Sequence, residues 1–296
     1  MKTDRIVIPL SSVILLLALI AAGAGVLWQG SGSSYDFTTL RGEVVEVYGH
    51  GLYRYDTLLY AAQAIGQDLA TLLVGIPLLL VGVVLARKNS LRGQQLLTGI
   101  LGYMLYTYTS YAFLVAYNEF FLIYVALFSL SLFAFILALS GLDGQRVSRA
   151  VSGRMPRRGI AIFLGFIAAF LGLAWLGRII PPLLAGKPPF GLEAYTTLVT
   201  QVIDLGIIVP TGAIAAVLLW RKHPWSYTLA SVLMVKALMM GVALVAMIIG
   251  EVVAGISVSP VETVMFSVIA AAALVFTIIL FRNIGSERQD QPGFER

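Results

Sequence analysis

The sequence predicts an all-α integral membrane protein, a polytopic bundle of about eight transmembrane helices. Three observations predict it. Hydrophobic residues fill 59% of the 296 positions and charged residues 12%, with a mean hydropathy of +0.90, far from the make-up of a soluble domain. The apolar residues fall into runs of the roughly 20 residues that a helix needs to cross a bilayer. Lysines and arginines gather in alternate gaps between those runs, the pattern that the positive-inside rule reads as topology.

The runs lie near 6–28, 58–86, 94–116, 119–140, 159–180, 196–220, 226–249 and 260–282. The first admits two readings. Met1 to Arg5, an apolar stretch and Ala22-Gly23-Ala24 resemble a secretory signal with its cleavage site. The apolar run continues through Val26, Leu27 and Trp28, long for a signal, which favours a retained span.

Fifteen of the 20 Lys and Arg fall on one side: Lys2, Arg5, Arg87, Lys88, Arg92, Arg146, Arg149, Arg154, Arg157, Arg158, Arg221, Lys222, Arg282, Arg288 and Arg296. Arg41, Arg54, Lys187 and Arg178 fall on the other. Both termini are therefore expected in the cytoplasm of a multi-pass cell-membrane protein. The net charge of +5 sits at span ends rather than on a basic face, so lipid and not nucleic acid is the expected partner.

The chain reads as a first four-span half, 1–140, a basic cytoplasmic connector, 141–158, a second four-span half, 159–283, and a polar cytoplasmic tail, 284–296. The first half carries an outer loop, 29–57, in which Gly49-His50-Gly51 between Val44, Val45, Val47 and Tyr48 suggests a hairpin or an irregular cap. Pro181-Pro182 and Pro188-Pro189 suggest a stiff connector over 181–195. The halves share an order of features: Asp68, Pro77 and Arg87-Lys88 in one, Asp204, Pro210 and Arg221-Lys222 in the other. Four spans each would relate them as parallel repeats, or the likeness is the alternation of any polytopic chain. Pro77 and Pro210 lie within spans and are expected to kink or break them.

Five residues stand out as candidates for substrate binding or proton coupling: Asp204, Lys236, Tyr103, Tyr106 and Asp68. Lys236 lies about eleven residues, or about 16 Å, into its span, near the bilayer centre, where a charge needs a partner or water. Asp204, on the preceding span, is its expected partner, in a working pair or a fixed structural one. Gly99, Tyr103, Tyr106, Thr107, Ser110 and Tyr117 share a broad face of the third span, widened by Tyr108 and Tyr111, which should turn inward. Asp68, Glu119, Glu251 and Glu262 either ring an entrance for cations or sit in wet interface, and Arg178 could pair with any of them.

Other chemistry is poorly served. There is no cysteine and there are two histidines, His50 and His223, so neither a metal nor a cofactor is expected. A lysine in a span also suits a retinal Schiff base, but here an eighth span follows and the surrounding acids do not match a rhodopsin. No phosphate-binding loop, zinc-protease signature or nucleophile elbow occurs, which points away from an enzyme. The expectation is a secondary transporter for a small solute or ion, against a sensor or accessory subunit with a membrane protein partner, with an intramembrane enzyme the less favoured third reading.

Overall fold

The computed structural model describes residues 4–28 and 30–285. Nine helices and one hairpin occur among them: α1 (Asp4–Leu27), β1 (Tyr35–Thr38), β2 (Val44–Val47), α2 (Leu58–Arg87), α3 (Leu91–Phe113), α4 (Phe121–Ser140), α5 (Gly144–Ala150), α6 (Arg157–Leu184), α7 (Val199–Trp220), α8 (Trp225–Val253) and α9 (Pro260–Asn283). Lys2, Arg288, Arg296 and nearly all of the expected tail lie outside the described residues.

Seven of these helices are long and apolar enough to cross a membrane, the make-up of a multi-pass membrane protein. The eighth expected span, α3, has 23 residues, long enough to cross, but Arg92, Gln94, Gln95 and its Thr and Tyr residues lower its hydropathy. Its polarity follows from its place: α2, α4 and α8 all pack on α3, so its hydroxyls and amides meet protein. The faces turned outward carry Leu16, Leu73, Leu122, Phe133, Ile162, Phe166, Leu173 and Val268, all exposed, a surface suited to lipid.

Two cores form. One joins α1, α2, α3 and α4 with Val235 and Met239 of α8; the other joins α6, α7, α8 and α9 with Leu91 and Val147. Small residues let the helices meet at backbone distance. A Cβ on Gly66 would stand 2.5 Å from the Ala246 carbonyl oxygen, one on Gly250 2.5 Å from that of Ala62, and one on Gly241 2.8 Å from Ala270. These contacts clamp α8 between α2 and α9.

The hairpin differs in register from its expected position. β1 and β2 pair antiparallel, Tyr35 opposite Val47 and Thr38 opposite Val44, so the turn is at Leu40 to Gly42 and not at Gly49-His50-Gly51. Gly42 has φ +84°, a left-handed geometry that glycine adopts without strain. Residues 48–57 follow as an irregular cap that drives Leu52 and Tyr53, each 1% exposed, into the bundle. Pro181-Pro182 also differs: it closes the last turn of α6, where both carbonyls accept from the Ala185 N–H. Neither proline has an N–H to return to the preceding turn, so two bonds of the ladder end there.

Candidate functional site

Both proline-bearing spans depart from α-helix in the same way. In α2 the segment Thr71–Gly75 is π-helical, followed by Ile76-Pro77; in α7 the segment Asp204–Ile208 is π-helical, followed by Val209-Pro210. The Ile76 N–H reaches back to the Thr71 carbonyl and the Val209 N–H to the Asp204 carbonyl, one residue beyond the α-helical partner. A proline lacks an N–H and crowds the preceding turn, and the widened turn makes room for its ring. Matched by their π segments, the two spans pair Asp204 with Thr71 and Asp68 with Gln201. The two aspartates that suggested a repeat are therefore not counterparts.

Two tyrosines of α3 address the first residues of the two π segments. Tyr103 shares a 2.8 Å hydrogen bond with Thr71 Oγ1, and Tyr106 donates to Asp204 Oδ1 at 3.0 Å. Spaced three apart, the two side chains diverge by about 60° around the helix, enough to face two neighbours. Around Tyr103 the network continues: Gln67 Nε2 donates to its hydroxyl at 2.8 Å and to Thr107 Oγ1 at 3.0 Å.

Asp204 is 4% exposed. Its second oxygen, Oδ2, accepts from Trp175 Nε1 of α6 at 2.9 Å, so each carboxylate oxygen meets one neutral donor. Lys236, 9% exposed on α8, does not form the expected direct ion pair with it. Its Nζ stands 3.9 Å from the centre of the Tyr106 ring, in cation–π geometry, and among the described residues it meets no hydrogen-bond acceptor. Tyr106 thus lies between the charges, its face to the lysine and its hydroxyl to the aspartate.

The chain matches no family model, no curated protein and no solved structure. What the site can do rests on its own geometry.

Asp68 forms a separate centre. It is 1% exposed, inside the bundle rather than in wet interface. Its Oδ2 accepts from the Tyr53 hydroxyl, and its Oδ1 from Tyr111 at 2.9 Å. The space for it comes from α1, because a Cβ on Gly25 would stand 1.7 Å from Asp68 Oδ2. No ring of acids forms among the described residues. Glu119 pairs with Arg54, Glu251 accepts from Gln63 at 2.7 Å, and Glu262 is exposed in the first turn of α9. Arg178 donates to the Phe190 carbonyl at 2.7 Å and lies over the Trp175 and Phe190 rings.

Above this layer the cap docks on the 185–198 segment. Asp56 Oδ1 accepts from Tyr195 at 2.7 Å and from the Ala116 N–H at 2.9 Å, while Oδ2 is buried without a partner. Burial pushes the Asp56 carboxyl up to about 7. Glu193, raised by burial as well, bonds Thr57, and Arg41 reaches the Glu193 and Tyr195 carbonyls at 3.2 and 3.0 Å. A cavity of about 250 Å³ opens beside Tyr195, lined also by Tyr55, Phe113, Thr196 and Thr197.

Sequence reading passed over Trp175, Gly25, Tyr53 and Asp56. A tryptophan away from a span end was the one available signal, since tryptophans in membrane helices favour the interfaces. The others are ordinary residues until the fold brings them to a buried acid.

Proposed function

We propose that the chain is a secondary transporter for a small solute or ion, with its central site at Asp204, Tyr106 and Lys236. The observation that carries this reading is a lysine ammonium held inside an apolar bundle with no hydrogen-bond acceptor among the described residues, next to a carboxylate on a π-interrupted helix. A buried charge left without a hydrogen-bond partner is costly and is retained where a ligand supplies one. Interrupted helices are how transporters expose backbone and side chains at a midplane site.

In this reading α3 is an eighth span, its polar face covered by α2, α4 and α8. The basic ends of the spans face the cytoplasm with both termini, in a cell membrane, and the hairpin and cap face outward. The two halves, 1–140 and 159–283, meet at α3 and α8, where the likeness of their π segments supports a parallel repeat with Tyr103, Thr71 and Gln67 as the second half-site. The test is transport by the full chain in proteoliposomes across a panel of ions, amino acids, sugars and organic acids, read as charge movement, internal pH and tracer uptake. Flux lost in Lys236→Met and Asp204→Asn, with folding intact, supports the reading; no flux of any panel member from well-folded protein overturns it.

A second reading, an accessory subunit, is supported by the hairpin. Tyr35, Phe37, Leu40 and Val44 are all exposed there, Leu40 completely, as suits a partner's surface.

A further inference from the structure

We infer that Lys236 seats a small monovalent anion and that a proton enters with it on Asp204; this rests on the central site proposed above but not on transport itself.

The unmet valence of the site is that of a donor. Among the described residues the three N–H bonds of Lys236 find no hydrogen-bond acceptor, only the Tyr106 ring on one side. Asp204, by contrast, is satisfied at both oxygens by Tyr106 and Trp175. A cation would meet an ammonium that repels it, beside a carboxylate whose two oxygens already accept from Tyr106 and Trp175. A neutral solute would leave the ammonium without a counter-charge in contact. An anion such as a halide or a monocarboxylate supplies what is missing. With only 9% of Lys236 exposed, the inferred anion is a small one.

Charge balance then calls for the proton. Empty, the site holds one carboxylate and one ammonium and is neutral. An anion alone would leave it one charge negative in a medium where an unpaired charge is expensive. A proton from water on Asp204 restores neutrality. Tyr106 can then accept from the new acid proton instead of donating, because a hydroxyl does either. No covalent bond beyond O–H forms or breaks, and anion and proton leave together.

Other titratable groups do not compete for this role. Tyr106 of α3 faces the pair, and α6 presents Trp175, which does not titrate, with the Arg178 guanidinium on the Trp175 ring and bonded to the Phe190 carbonyl. On α2, Asp68 is turned to Tyr53 and Tyr111. Glu251 of α8 is held by Gln63, and Glu262 of α9 is exposed.

The experiment is calorimetric titration of the full chain in nanodiscs with sodium chloride and, separately, sodium pyruvate, each in two buffers of different ionisation heat. One of the two anions is expected to bind wild type with uptake of about one proton per anion near neutral pH. Lys236→Met should not bind it, Lys236→Arg should retain binding, and Asp204→Asn should bind without proton uptake. Thermal unfolding of each variant confirms that it is folded. Binding by Lys236→Met equal to wild type, binding to wild type with no proton uptake, or no binding of either anion overturns the inference. Binding with proton uptake but no flux leaves the anion site standing and removes the transporter.

Discussion

The Lys236 ammonium lies over the Tyr106 ring, 3.9 Å from its centre, and the same side chain's hydroxyl holds Asp204 at 3.0 Å. One residue of α3 therefore links the charges of α7 and α8. Tyr106→Phe separates its two roles, keeping the ring for the lysine and removing the donor. The expected outcome is a loss of about 1–2 kcal/mol in stability, with anion binding kept and its proton uptake altered. Unfolding in mixed micelles and the two-buffer titration check both; unchanged stability would mean that the hydroxyl bond carries no weight.

Gly25 is the seat of Asp68, and a methyl there has nowhere to go. Gly25→Ala should destabilise the bundle by roughly 3 kcal/mol, because the carboxylate and the Tyr53 hydroxyl must both shift. Gly23, with nothing within 4 Å of an added Cβ, is the control, and Gly23→Ala should stay within about 0.5 kcal/mol of wild type. Equal unfolding midpoints for the two variants would refute the packing argument.

Pro210 holds the π turn that begins at Asp204. With Pro210→Ala the missing N–H returns, and α7 can close as a continuous α-helix. Dropping one residue from the wide turn rotates the preceding segment by about 100°, carrying Asp204 away from Tyr106 and Trp175. Loss of the proton uptake in a folded protein is the expected result. Unchanged uptake would show that the turn is held by packing instead.

Asp56 makes the cap pH-sensitive, with a definite sign. Burial lifts its carboxyl from 3.8 to about 7, so between those values the folded chain keeps a proton that the unfolded chain gives up. Stability therefore falls as pH rises through that window and levels off above it. Glu193, also raised by burial, adds in the same direction. Asp56→Asn should retain the bonds from Tyr195 and the Ala116 N–H and flatten the slope. Melting at pH 5 and pH 8, with hydrogen exchange over 48–57, reads this directly, and parallel slopes for the two proteins would dismiss it.

Much of the bundle was legible beforehand because lipid-facing surface must be apolar over a fixed length, and runs such as 121–140 or 260–283 show little else. The inward face of α3 was legible too, since tyrosines at 103, 106 and 111 recur with the helical period. Lys236 announced itself by depth alone. Gly25 and Trp175 were not legible, for their meaning depends on which neighbour they meet across the bundle.

By itself, the sequence determined that the chain is a bundle of apolar helices, where its polar face lies and that Lys236 sits deep in a span, since these follow from local composition and period. Only the tertiary structure decided that Tyr106 stands between Lys236 and Asp204, that Asp204 matches Thr71 rather than Asp68, and that Asp68 rests on Gly25. Those relations join residues far apart in the chain. They depend on helix rotation, on one extra residue in a π turn and on how closely two backbones approach, none of which leaves a periodic mark in the sequence.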